Sequence, residues 1–218
     1  MFLADKLIDP ARANLQNQLD HWLGNAVGAN VLPPQPLHPD SPAEFINVAL
    51  AAEAEPASSY IFGETFTIYF LDPVTAQSAE SKSHDLSQLA QPADRRYHQL
   101  RYQGQPIAYA HSIPSSGDEV CQLMVSNYAQ HVGRAMKRLD EIEKTNEKYA
   151  ALKTSVRMLA VQAFNVTAFW IYDESVGESD ILVISAPSSM TSLQTNDLMN
   201  SSGFLEAFAK EPPIRGLA

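Results

Sequence analysis

The side chains best suited to chemistry in this 218-residue chain lie close together: Arg95, Arg96, His98 and Arg101, then Tyr109 and His111. Guanidinium groups at 95, 96 and 101 could grip a carboxylate or phosphate through paired N–H donors. Tyr109 and His111 are two positions apart, so on a strand they share a face and could line a pocket, with Arg101 receiving a carboxylate. The ordinary alternative is a charged, solvated strand edge that discourages aggregation, and no glycine-rich phosphate loop accompanies the cluster.

Other chemistries lack their parts. His21, His38, His84, His98, His111 and His131 are scattered, with no His-x-x-x-His on a helix, and Asp20-His21 lacks the partners of a metal-phosphohydrolase site. No Gly-x-Ser-x-Gly elbow marks a serine nucleophile. Cys121 is the one cysteine, which excludes an intramolecular disulfide and a thiolate cluster. Its expected place in the first turn of a long helix would lower a thiol pKa, but Val120, Leu123 and Met124 beside it favour plain packing. We therefore expect no catalytic centre, no metal and no cofactor.

The elements that must hold these residues follow from pattern. Asp9-Pro10 reads as an N-cap and first helical position, with Leu15, Leu19, Trp22, Leu23 and Ala26 on one face. Prolines 33, 34, 36, 39 and 42 mark a linker, and Ser41 with Glu44 forms a capping box for a helix that stops before Pro56. Residues 60–62 and 65–71 read as strand, 74–94 as polar chain with a short helix around 86–89. Residues 97–102 and 107–113 form a hairpin around Gln103-Gly104. From Asp118 to about Ala163 there is no proline. Three- and four-residue spacing there predicts one helix of about 65 Å. Residues 166–173 and 180–186 are two more strands, and a short apolar helix lies near Phe204–Phe208.

In the long helix Val132, Leu139, Asn146 and Val156, with Ile142 and Tyr149, form a heptad seam that predicts a parallel homodimer. Asn146 would pair with its twin, and Arg138 would face Glu143 of the other chain. The alternative is a helix packed on its own domain with Asn146 facing water.

Composition sets the outer bounds. Hydrophobic residues at 45% against 18% charged exclude wholesale disorder. A net charge of −10 argues against a nucleic-acid backbone as the main partner. No run of about 18 apolar residues spans a membrane. The first residues lack the basic-then-apolar layout of a secretory signal, so a cytoplasmic location is expected.

Residues 100–112, Leu-Arg-Tyr-Gln-Gly-Gln-Pro-Ile-Ala-Tyr-Ala-His-Ser, with the helix-like 118–135 behind them, resemble the second half of a GAF domain. Residues 67–73, Thr-Ile-Tyr-Phe-Leu-Asp-Pro, resemble its early strand, and 168–174 with 180–185 resemble the opening strands of another such unit. The resemblance implies an α/β (α+β) fold, a GAF-like antiparallel sheet flanked by helices. A long coiled-coil connecting helix and a second partial α/β unit would follow. The expected division is an N-terminal amphipathic helix at 1–29, a proline-rich linker at 30–41 and a GAF-like domain at 42–135. A coiled-coil signalling helix at 136–165 and a second partial unit with tail at 166–218 complete it. The implied function is a non-catalytic sensor that dimerises and relays ligand or partner binding. One alternative is a module binding an aromatic acid or nucleotide, or a lyase-like domain, built on the hairpin. Another is an assembly or secretion-system subunit that docks a protein partner through its N-terminal helix.

Overall fold

The computed structural model describes residues 13–14, 16–17, 60–77, 86–102, 105–117, 119–125, 127–150, 154–173 and 178–209. The expected proline linker, the Ser41 helix and all five residues of the stripe Leu15, Leu19, Trp22, Leu23 and Ala26 lie outside them. The described chain is a mixed α/β fold, a mostly antiparallel sheet with a few helices, and it divides into two compact units that interleave along the sequence.

The larger unit holds residues 66–96 and 131–209. Its strands run in the order β2-β1-β5-β6-β7-β8. Strands β1 (Tyr60–Leu71) and β2 (Ala90–Tyr102) thread both units; β5 is Ser155–Val161, β6 Val166–Asp173, β7 Glu178–Ser185 and β8 Leu198–Asn200. β1 pairs with β5 in parallel, Tyr69 opposite Leu159, while β5–β6, β6–β7 and β7–β8 are antiparallel. The strands after residue 154 thus extend the sheet that contains β1 and do not open a sheet of their own. Helices α1 (Pro73–Gln77), α2 (Leu86–Leu89), α3 (Asn127–Thr145), α4 (Glu147–Ala150) and α5 (Ser201–Phe208) complete the described elements. Leu159, Phe164, Trp170, Ile181, Phe204 and Phe208 form the centre of this unit's core, each fully buried. Residues on β6 and β7 are buried on both faces, Ala168 through Ile171 and Ile181 through Ile184. That is why they read as unbroken apolar runs. Asn200 caps α5, accepting the Gly203 backbone N–H at 2.8 Å.

The long rod expected after the hairpin is broken. Residues 119–125 are strand β4, α3 ends at Thr145, and residues 155–161 are strand β5. Asn146 sits between helices and its side chain accepts the Lys148 backbone N–H at 3.0 Å, so it caps α4. Its polarity at a nominal seam position serves this local stop. Val132, Leu139, Ile142, Tyr149 and Val156 are buried inside the single chain, at 5% exposure or less. The face expected to meet a second copy is therefore packed on the chain's own core. Arg138 pairs with Glu141 one turn on, at 3.3 Å, and not with Glu143. Cys121 lies in the middle of β4, away from any helix start.

α4 is held to β7 by an acid clip: Asp180 accepts from Lys148 Nζ at 2.8 Å and from the Tyr149 hydroxyl. Within α3, His131 is kept neutral below its ordinary pKa of 6.5, first by burial and then by Arg134, against a hydrogen bond to the Ile184 backbone. The unfolded chain protonates this imidazole normally. Its contribution to stability is therefore complete above about pH 6.5 and is lost as the pH falls through the lower folded value. Denaturant titrations from about pH 7.5 to pH 5 should give a shallower stability–pH slope for His131→Gln than for the parent; equal slopes would refute this assignment.

Candidate functional site

The smaller unit includes residues 60–65 and 97–130. Its strands run β4-β3-β2-β1, with β3 Gln105–Ile113 and β4 Glu119–Val125. β2 and β3 lie side by side in the sheet, and the expected turn at Gln103-Gly104 lies outside the described residues. β3 and β4 pair antiparallel, Tyr109 opposite Met124, with a register shift between His111 and Ser112. Such a bulge re-aims neighbouring side chains.

One face of this unit is aromatic. Tyr97 stacks on Tyr109 at 5.3 Å between ring centroids and 23° between planes. His111 lies 5.1 Å from Tyr109 and 6.0 Å from Tyr97. Tyr128, from the first turn of α3, meets Tyr109 edge-on at 5.4 Å and Tyr97 at 6.1 Å. Tyr97 and Tyr109 are buried, while His111 and Tyr128 remain half-buried. The Tyr97 phenol is pushed above its ordinary pKa first by burial, then by Tyr128, Tyr109 and Glu64; burial also raises Tyr109. Both rings are neutral donors at physiological pH.

The same face continues along β2. Strand alternation puts Tyr97, Gln99 and Arg101 on one side, spread over about 13 Å of Cα path. Arg101 Nε donates to Gln99 Oε1 at 3.1 Å, and its terminal Nη2 donates to both oxygens of Glu64 at 3.0 and 2.9 Å. Arg101 and Glu64 are each about one-third exposed, 36% and 37%, whereas Gln99 is fully buried. Gly63 permits the close approach of β1: a Cβ there would stand 3.1 Å from Arg101 Nε.

The opposite face holds a sealed polar relay. His98 lies between Thr65 Oγ1 at 3.0 Å from Nδ1 and Ser112 Oγ at 2.7 Å from Nε2. A hydroxyl, an imidazole and a second hydroxyl in series have the order of a nucleophile, base and orienting group. All three residues are at most 3% exposed. What the relay does is satisfy a buried imidazole and tie β1, β2 and β3 together.

Of the five expected ligand residues, Tyr109 and His111 meet in one ring cluster, and Arg101 stands on the same side of β2 as Tyr97, four residues farther along the strand. Arg95 and Arg96 lie in the larger unit, where Arg95 is exposed. Arg101, expected to await an external carboxylate, already holds Glu64. Tyr97, Gln99, Tyr128 and Glu64 were missed. The period-two pattern Tyr97-x-Gln99-x-Arg101 facing Tyr109-x-His111 was available to find the first two. Tyr128 and Glu64 come from a helix and another strand, and no local spacing marks them.

A second aromatic assembly belongs to the larger unit. The Arg157 guanidinium lies 5.1, 4.9 and 4.7 Å from the ring centroids of Tyr69, Trp170 and Tyr172. Its box is occupied from within, and it acts as a cross-strand clamp. Among the described residues no group of His, Cys, Asp or Glu is placed to hold a metal ion, and no helix is long and apolar enough to cross a membrane.

No family model matches the chain. No curated protein and no solved structure matches it either.

Proposed function

We propose that this protein is a non-catalytic, GAF-like regulatory module that binds an aromatic carboxylic acid on the aromatic face of its smaller unit. The observation carrying this reading is that three rings of β2 and β3, joined by Tyr128 from α3, lie on the side of β2 that also carries a guanidinium. The half-buried faces of His111 and Tyr128 offer a stacking surface for a planar ring. Arg101, farther along β2, offers a fork that matches a carboxylate. The mixture of apolar walls with a few placed polar groups is the usual make-up of a small-molecule site. Binding would be relayed through Tyr128, since it opens α3 and a ligand that orders Tyr128 biases that helix.

The test is a melting experiment on the full chain with benzoate, 4-hydroxybenzoate, adenosine monophosphate and, as the neutral control, benzamide. A ligand that binds only the folded state stabilises it by about 2.7 kcal/mol at a hundred times its Kd. The aromatic acids should raise the melting temperature in proportion to the logarithm of their concentration, and benzamide should not. A flat response to both acids at millimolar concentration would remove this reading; a response to the nucleotide alone would transfer the site to nucleotides.

A further inference from the structure

We infer that Glu64 is a built-in competitor for the ligand carboxylate, so that the site is held closed by the chain's own acid and opens only as Glu64 leaves Arg101. This inference rests on the aromatic-acid reading above. Three observations in the smaller unit support it.

The first is the pairing itself. Arg101 Nη2 gives both of its contacts to Glu64, at 3.0 and 2.9 Å, so an incoming carboxylate meets a guanidinium with one of its two terminal nitrogens already engaged. The second is that the pair is accessible: each partner is about one-third exposed. Exposed ion pairs contribute little to stability, so exchanging one carboxylate for another is inexpensive. The third is Gln99. Its amide oxygen accepts Arg101 Nε, which fixes the orientation of the amide group and leaves Nε2 as its remaining donor. That Nε2 is buried and lacks a hydrogen-bond partner among the described residues. A buried amide N–H left unmade is costly, and a ligand oxygen would satisfy it. The line therefore runs from a donor-rich buried amide, through a guanidinium, to an acid at the surface. Gln99 and Arg101 are complementary to a carboxylate, and Glu64 covers only the outer part of that complement.

The ligand carboxylate would take the place of Glu64 on Arg101 and also accept from Gln99 Nε2, a contact Glu64 does not make. No bond is formed or broken; one ion pair is exchanged for another. The released Glu64 carboxylate moves into water.

The experiment compares the full-length parent, Glu64→Gln and Glu64→Asp by isothermal titration with benzoate, with benzamide as the uncharged probe. Circular dichroism establishes that each variant is folded. Glu64→Gln removes the competing charge, and a charge-assisted hydrogen bond is strong enough that benzoate should bind about tenfold tighter. Glu64→Asp keeps the charge on a shorter stem and should give a smaller gain; it serves as the reporter should Glu64→Gln fail to fold. Benzamide should give no binding heat with the parent or with either variant. Parent binding without any gain in either variant overturns the competitor role and leaves the aromatic-acid reading standing. Weaker binding in Glu64→Gln makes Glu64 a ligand contact and likewise overturns it. No benzoate binding by the parent or either variant removes both proposals together.

Discussion

Trp170→Ala is expected to destabilise the protein by about 3–5 kcal/mol, the range for deleting a fully buried large aromatic side chain. That is a large fraction of the total stability of a domain this size, so the variant should be partly unfolded near 37 °C. Trp170 is fully buried in the middle of β6 and lies opposite Arg157 on β5 and Ile181 on β7. Its ring meets Tyr69 edge-on at 5.3 Å and Tyr172 at 5.4 Å, and the Arg157 guanidinium lies 4.9 Å from it. Its indole N–H donates to Ser179 Oγ at 2.9 Å. Alanine leaves a void among these groups and removes the main wall of the box around Arg157, so packing and cation–π attraction are lost together. Trp170→Phe keeps a ring in place and loses the N–H, and should cost distinctly less than alanine. Urea unfolding followed by circular dichroism measures both, and an alanine variant within about 1 kcal/mol of the parent would show that the β5–β6–β7 packing described here is wrong.

The second large effect is on binding. Arg101→Gln removes the only guanidinium on the aromatic face of the smaller unit among the described residues. Losing a charge-assisted contact to a carboxylate should weaken benzoate binding about thirtyfold. Stability should fall by no more than about 1–3 kcal/mol: the Arg101–Glu64 pair is one-third exposed and its loss returns Glu64 to water, but the buried Gln99 Oε1 loses its donor. Calorimetric titration alongside urea unfolding separates these quantities. A variant that binds benzoate as the parent does would place the carboxylate elsewhere. A variant whose apparent affinity falls only in proportion to the fraction of protein that is folded would make Arg101 a structural residue.

Much of the architecture was legible before any coordinates. The neighbouring strands on either side of residues 103–104, β1 up to Asp72, β6 from Val166 to Asp173 and the α2 turn were all readable from β-branched and aromatic runs bounded by turn residues. Two strands were read as helix. β4, Glu-Val-Cys-Gln-Leu-Met-Val, is a short apolar run with no internal proline or glycine, and such a run has no period that separates strand from buried helix. β5, Ser-Val-Arg-Met-Leu-Ala-Val, supplied a seam residue at Val156 by chance of register. Its alternation of Ser155 and Arg157 against Val156 and Met158 was the truer signal, with Val156 and Met158 buried. Asn146 carried the same lesson. A polar residue at a seam position and a helix-stopping cap look alike in sequence, and the capping bond to Lys148 decides between them.

The site was legible only in part because its residues come from elements distant in the chain. Tyr109 and His111 announce themselves by spacing. The Glu64–Arg101 pair depends on β1 and β2 lying side by side, the two residues being 37 positions apart in the chain. Gln99 becomes notable only once it is known to be buried beside Arg101.

The most direct measurement of the central claim is NMR of the intact chain with its tyrosine and histidine rings carbon-labelled, titrated with benzoate. The account predicts that His111 and Tyr128 move most, Tyr97 and Tyr109 follow, and Tyr69 and Tyr172 stay fixed. Shifts confined to Tyr69 and Tyr172, or no ring shifts at saturating benzoate, would contradict it.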